Sequence, residues 1–535
     1  MYKFKRTAAV SLAALLLAAG CNKTETSSKE YELEDLTFPI KEEEEVTLKF
    51  MTQSSPLAPK DPNEKLIYQR LEKDTGIHIE WKNYTSDVFI EKRNLAIASG
   101  ELPDAILDAA YGDYDLLKLA KDGAIVPVED LIEKHMPNLQ KVLEDAPEYK
   151  SMITAPDGHI YSFPWIEELG SDKESIHSVD DFPWINVEWL KNLGLEMPKT
   201  TEELKKVLIA FKNEDPNGNG EADEIPLSFI HKPGGEDLAF LLGSFGLGEN
   251  WDHTVVTDNG EVKFTASDEG YKEGIKFLNE LYQEGLIDVE AFEQDWNTYL
   301  AKGKDNRYGL YFTWDKANIT GMNDTYDLLR PLAGPDGNVN VTRTNGMGFD
   351  RGRMVITSAN KNLELTAKWI DQLYDPIQSV QNNWGTYGDE KQQNIFEYDE
   401  SAKMLKHLPL EGTAPVELRQ KTNIGGPLAI LDEYYGTYTT KPDDAAWRLG
   451  LMKDVMVPHM QAENIYPRVF FSLKELDRLS AIETDLFPYV MRKRAEWIQN
   501  GNVDKEWNEY IAELDRLGLQ EWLEIKQAGY DRNAE

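Results

Sequence analysis

Asp215, Asn217, Asn219, Asp223 and Glu224 set oxygen donors along the stretch DPNGNGEADEIP, and Gly218 and Gly220 between them permit a sharp turn. The chemistry this suits is the wrapping of a hard cation, since calcium takes roughly six to eight oxygen ligands. The opening is that of an EF-hand loop, but Pro226 stands at the twelfth place, where that loop needs a bidentate Glu. Upstream, Thr200 with Glu203 reads as a capping box before the helical spacing of Leu204, Val207, Leu208 and Phe211. Downstream, EIPLSFI reads as a strand. Helix, loop and strand lack the paired helices with which a calcium sensor opens, so the expected role of the ion is structural. The rival reading is a solvated Asx-rich turn that binds no metal.

The second signal is aromatic. The chain carries 13 Trp and 24 Tyr, generous for a polar sequence, and rings beyond the needs of a core suit a flat-faced ligand. Its net charge of −38 argues against nucleic acid and against adhesion to anionic lipid. No HExxH, GxSxG, GxGxxG or P-loop spacing occurs, and the 8 His are scattered. Carboxylates alone remain for catalysis, which leaves a secreted glycoside hydrolase as one rival reading and a polysaccharide-binding adhesin as another.

The N-terminus fixes the compartment expected. Lys3, Lys5 and Arg6 precede the apolar run AAVSLAALLLAAG and then Cys21, the only cysteine of the chain. The run is a signal sequence, too short to span a bilayer. LAAGC resembles a bacterial lipobox, which implies residues 1–20 as signal peptide and lipidated Cys21 as first mature residue. Residues 21–44 then form an acidic tether that holds the body off the extracytoplasmic face of the membrane.

From about Glu45 strands alternate with helices: VTLKFM, NEKLIYQRLEKDTG, IHIEW, DVFIEKRNLAIASG and the short DAILD. This pattern predicts an α/β domain with a largely parallel sheet. A second such region runs from about Gly158 to Ala333, and from about Leu408 the chain reads as mainly helical. The length demands two domains.

SGELPDAILDAAYGDYDLLKLAKDGAIVPVEDLI, PDGHIYSFPW, WLKNLGLEMPKTTEEL, GLYFTWDKANI and MVITSANKNLELTAKWIDQLYD follow one another behind the lipobox and tether. In that order they resemble the family 1 extracellular solute-binding proteins of carbohydrate ABC transporters, of the alginate-binding and maltose-binding types. The resemblance implies a two-lobe, periplasmic-binding-protein-like fold with discontinuous lobes and a hinge. Residues 45–155 plus 338–406 are assigned to an N-terminal lobe and 156–337 plus 407–535 to a C-terminal lobe. It also implies a monomer without enzymatic activity, closing on an oligosaccharide and presenting it to permease subunits. For the metal, the alginate-binding members imply a calcium set of Asp215, Asn217, Asn219, Glu221 through its carbonyl, Asp223 and Glu224.

Sugar recognition needs aromatic faces for the rings and polar groups for the hydroxyls. Trp314 follows an apolar strand and precedes a predicted helix, and by resemblance matches a stacking aromatic; Trp184 aligns with another cleft aromatic. Trp165 and Glu167 follow the predicted strand IYSFP. Gln53 and Asp108 come just after two N-lobe strands, where the relatives place polar ligands. Tyr111, Asp315 and Trp384 complete the candidate set. For every ring the alternative is core packing.

Overall fold

A computed structural model of the chain describes residues 37–40, 46–232, 234–321, 323–410, 415–460 and 465–534. Two sheets organise it. The first has six strands in the order Leu428–Ile430, Phe163–Glu167, Phe349–Ile356, Ala105–Leu107, Val46–Ser54, Ile77–Thr85. Only Phe349–Ile356 runs against its neighbours. Val46, Leu48 and Phe50 alternate into the core, and Ile77 and Ile79 do the same on the paired edge strand.

The helix Leu66–Thr75 feeds that edge strand. It ends on Gly76 at φ 73°, where a Cβ would lie 2.6 Å from the carbonyl oxygen of Ile40, so the turn needs glycine. Helix Ser86–Ser99 follows the edge strand directly, as predicted.

The second sheet has the order Tyr326–Leu328, Phe182–Asn186, Tyr308–Thr313, Ile225–Leu227, and only its last pair is parallel. The first sheet is thus largely parallel as predicted, with one antiparallel strand, while the second, also predicted largely parallel, is mixed. Helices Glu269–Gln283, Leu473–Asn500, Val503–Leu517 and Leu519–Ala534 pack over the second core, in agreement with the helical pattern of the C-terminal part.

Among the described residues the chain passes between the two cores three times, through residues 168–181, 329–348, and 431–460 with 465–472. The lobes are discontinuous, but their boundaries differ from the expected ones. Phe163–Glu167 and Leu428–Ile430, assigned by sequence to the C-terminal lobe, pair with each other inside the first sheet and pack in its core. Phe163–Glu167 is itself the strand, so Trp165 and Glu167 belong to it rather than following it. An apolar run reveals a strand; the partner that claims it comes from some 260 residues away and leaves no local mark.

The Thr200 cap is half of the predicted box. Thr200 Oγ1 accepts the Glu203 N–H at 3.1 Å, while the Glu203 carboxylate takes the N–H of Lys199 rather than that of Thr200.

Candidate functional site: a cleft at the strand ends

The strand Tyr308–Thr313 is buried at every position, and Trp314 is the first residue to emerge from it, half-buried. Its ring lies on the guanidinium of Arg448, 3.6 Å from the ring centre, and the same guanidinium covers Phe182 at 4.0 Å on its way through the core. Arg448 is fully buried and donates to the carbonyls of Trp314, Val179 and Asp180. The helix Asp443–Leu451 thus holds the indole from behind, in a cation–π contact.

Trp314 and Asp315 share a cavity of about 330 Å³ with Trp165, Glu167, Trp384 and Arg419. Five of the nine sequence-predicted sugar residues meet there. Glu167 is held at both oxygens: Tyr435 Oη donates to Oε1 at 2.9 Å, and His177 Nε2 lies 3.1 Å from Oε2. The His177 ring is 5.9 Å from that of Trp314. Trp384 lies beneath the guanidinium of Arg419 at 4.1 Å. Arg419 pairs with Asp444 at 3.3 Å while its buried Nε lacks a protein partner, a donor suited to a ligand hydroxyl. Asp315 lines the cavity, but one of its oxygens already accepts the N–H of Ala317 at 2.8 Å and caps a turn.

Gln420 and Asn423 are shared with a second cavity of about 370 Å³, so the two are continuous. It lies over the ends of Val46–Ser54 and Ala105–Leu107 and contains Gln53 and Asp108, as expected of polar residues at strand ends. Gln53 donates to the Asp108 carbonyl at 2.9 Å, and the Asp108 carboxylate is ion-paired with Arg353. Burial pushes the Asp108 carboxyl above its usual range, against the pull of Arg353. Lys65 donates to the carbonyl of Asn423 at 2.7 Å, and burial lowers its ammonium to about 8 against the opposing charge of Asp108. Together the two cavities offer aromatic faces at one end and hydroxyl partners at the other.

Two predicted residues fall elsewhere. Trp184 is fully buried: its Nε1 donates to the carbonyl of Thr313 at 3.1 Å, and its face is stacked on Trp447 at 5.5 Å and 14°. It cannot receive a sugar in this conformation, and the half-buried ring of the pair is Trp447. Tyr111 is also buried, beneath Arg93 at 4.0 Å, and lines a third, separate cavity. Sequence reasoning missed Arg419, His177, Tyr435 and Lys65. Lys65 sits where a 3-10 turn meets its helix, and the others on a crossover, a short helix and a turn, none at a strand end where the search was made.

The metal loop joins helix Thr201–Asn213 to strand Ile225–Leu227, and none of its residues lines either cavity of the cleft. Asp215 accepts the N–H groups of Asn219 and Gly220 at 3.1 and 3.0 Å. Asp223 Oδ1 accepts the amides of Asn217 and Asn219, both at 3.1 Å, and a half-turn of either amide would present oxygen instead. Glu224 Oε1 is buried without a hydrogen-bond partner, an acceptor that a cation would suit. The N–H of Glu221 donates to Asn219 Oδ1 at 2.7 Å. Among the described residues no three His, Cys, Asp or Glu side chains are placed to hold a metal by themselves, and the donors of this loop are carboxylates mixed with amides. They fit a hard cation.

Cys21, the signal peptide and most of the tether lie outside the described residues. Among the described residues no helix is long and apolar enough to cross a membrane.

Two lobes joined by three crossovers, with aromatic and polar side chains of both lining one cleft, define a solute-binding protein. Residues 59–380 match the family of bacterial extracellular solute-binding proteins, and the chain belongs to that family. It is a binding protein and not an enzyme. It is 63% identical over 530 residues to the fructooligosaccharide ABC transporter substrate-binding protein FusA of Streptococcus pneumoniae serotype 4, covering 99% of this chain and 98% of that one. The solved structure of S. pneumoniae FusA in complex with kestose superposes with a TM-score of 0.88 at 66% identity, covering 91% of this chain and 99% of FusA. A FusA EF-hand mutant in complex with fructo-nystose gives the same TM-score and coverage at 65% identity.

Proposed function

We propose that this protein is the receptor of an oligosaccharide ABC transporter, that its ligands are fructooligosaccharides, and that it hands them to the permease subunits outside the cytoplasmic membrane. The observation that carries the reading is the continuous cleft in which Trp165 and Glu167 of one sheet and Trp314 and Asp315 of the other line a single cavity. The sugar class rests on the similarity to the FusA receptor. Trp314, Trp165 and Trp384 supply ring faces, Arg419 and Glu167 hydrogen-bond hydroxyls, and the Gln53, Lys65 and Asp108 end receives the rest of the chain. A sugar touching both lobes stabilises the closed arrangement, which is what the permease reads.

Two further parts belong to the proposal. Calcium occupies the loop of Asp215, Asn217, Asn219, Glu221, Asp223 and Glu224 as a local strut away from the sugar, a reading supported by the orphaned Glu224 oxygen. Lipid on Cys21 anchors the chain to the membrane, and residues 46–167, 349–410 and 415–430 move as one lobe against the rest. Isothermal titration with kestose and nystose, beside maltotetraose and an alginate oligosaccharide, tests the ligand class. Saturable binding confined to the fructose-based pair is expected; binding of maltotetraose alone would overturn the assignment.

A further inference from the structure

The third cavity, about 490 Å³, lies on the crossover side of the molecule and shares no lining residue with the sugar cleft. Tyr111, Asp113 and Arg351 come to it from the first lobe, Asp252 and Lys526 from the second, and Asn345 and Arg468 from the second and third crossovers. Ionic groups of both signs line it, so the question is which are already neutralised. Asp350 meets Arg353 at 2.9 Å. Asp113 lies 3.4 Å from Arg351. Both oxygens of Asp252 accept the neutral amide of Asn345, at 3.1 and 3.0 Å, so this carboxylate keeps its charge and its strongest opposite charge is Lys526.

The cations are less well served. Neither Arg468 nor Lys526 has a carboxylate within ion-pair distance among the described residues, although burial disfavours the Lys526 charge and the more distant Asp252 and Glu483 support it. Lys526 instead rests its ammonium on the rings of Tyr466 and Trp522, at 4.6 and 5.1 Å. Arg351 is only 5% exposed, yet its Nη1 has no hydrogen-bond partner; Arg468 Nε and the hydroxyl of Tyr111 are likewise buried and unpartnered. Buried donors left empty are costly, and a small acceptor reaching Arg351 Nη1, Arg468 Nε and the Tyr111 hydroxyl would satisfy them together.

We propose that this cavity binds a small oxyanion, a phosphate or a carboxylate, through Arg468, Lys526 and Arg351. A planar guanidinium and an ammonium are the donors such groups take, and forked Arg contacts suit either anion. Because the ligand would touch both lobes beside two crossovers, its occupancy is coupled to lobe geometry and hence, reciprocally, to sugar binding.

The test uses the whole mature protein. Inorganic phosphate and citrate are each titrated by calorimetry and by thermal shift against sodium chloride of equal ionic strength, with wild type, Arg468→Gln and Lys526→Gln. Saturable binding of one anion is expected, weakened about tenfold in each variant, as for loss of a charge-assisted hydrogen bond. Which of the two binds distinguishes phosphate from carboxylate. Both polyanions raise melting temperatures non-specifically by exclusion from the surface, so a shift equal in wild type and both variants overturns the proposal. So does the absence of saturable heat with either anion. The two substitutions lie on different elements, so if one fails to fold the other decides.

Discussion

Replacing Trp314 with alanine removes a platform without disturbing what lies behind it. A sugar face covering about 60 Å² of the indole, at about 25 cal/mol per Å², accounts for roughly 1.5 kcal/mol. The ring geometry adds about 0.5–1.5 kcal/mol. Trp314→Ala should therefore weaken fructooligosaccharide binding by about 2–3 kcal/mol, or roughly 30- to 150-fold. Its effect on melting should be small, because the ring is half-buried and its support, Arg448, keeps all three of its partners, the backbone carbonyls of residue 314, Val179 and Asp180.

Arg448→Met gives the opposite pattern. It leaves the carbonyls of Trp314, Val179 and Asp180 without their buried donor, at a cost of about 3–5 kcal/mol in stability. Titration calorimetry with kestose and a denaturant melt on the same samples separate the two effects. The reasoning fails if Trp314→Ala binds within about twofold of wild type while folded, since the indole would then be packing and the sugar would lie elsewhere.

Three other outcomes follow from the same geometry. Chelation should lower the melting temperature and calcium restore it, by about 2.7 kcal/mol at 100 times the dissociation constant, with little change in sugar affinity; a melt indifferent to confirmed metal removal would reduce the loop to a turn. Glu224 is pushed above the usual carboxylate range by burial and then by Asp223 and Asp215, so the metal-free form should lose stability as pH rises through that range while the calcium increment grows, as melts with and without chelator can record. Lys65 is lowered to about 8 from 10.5, so the folded state binds fewer protons between those values and stability should rise with pH across that window, by at most about 3 kcal/mol; Lys65→Met should flatten the rise in a series of denaturant melts.

The tetrapeptide FPWI occurs twice, at Phe163–Ile166 and Phe182–Ile185, and both copies are strands, so local pattern announces the element equally well in each. The fates of their tryptophans diverge. In the first copy Trp165 pairs in register with Leu428 of a three-residue edge strand and stays half-open to the cleft, with Arg353 5.7 Å away over its ring. In the second, Trp184 sits between Tyr311 and Leu328 in a sheet interior and is covered by Trp447 from a helix more than 250 residues onward. Periodicity and turn residues are properties of a few neighbouring positions, which is why the strands, the helix–loop–strand around Asp215, the helical C-terminal part and the strand-end place of Trp314 were legible. Exposure of a ring, the pairing of Leu428–Ile430 with Phe163–Glu167, and the arrival of Arg419 over Trp384 depend on contacts between segments far apart in sequence. A single chain carries no trace of such contacts in its local composition. Local pattern could thus direct the search to strand ends, while the choice between two identical tetrapeptides required the fold.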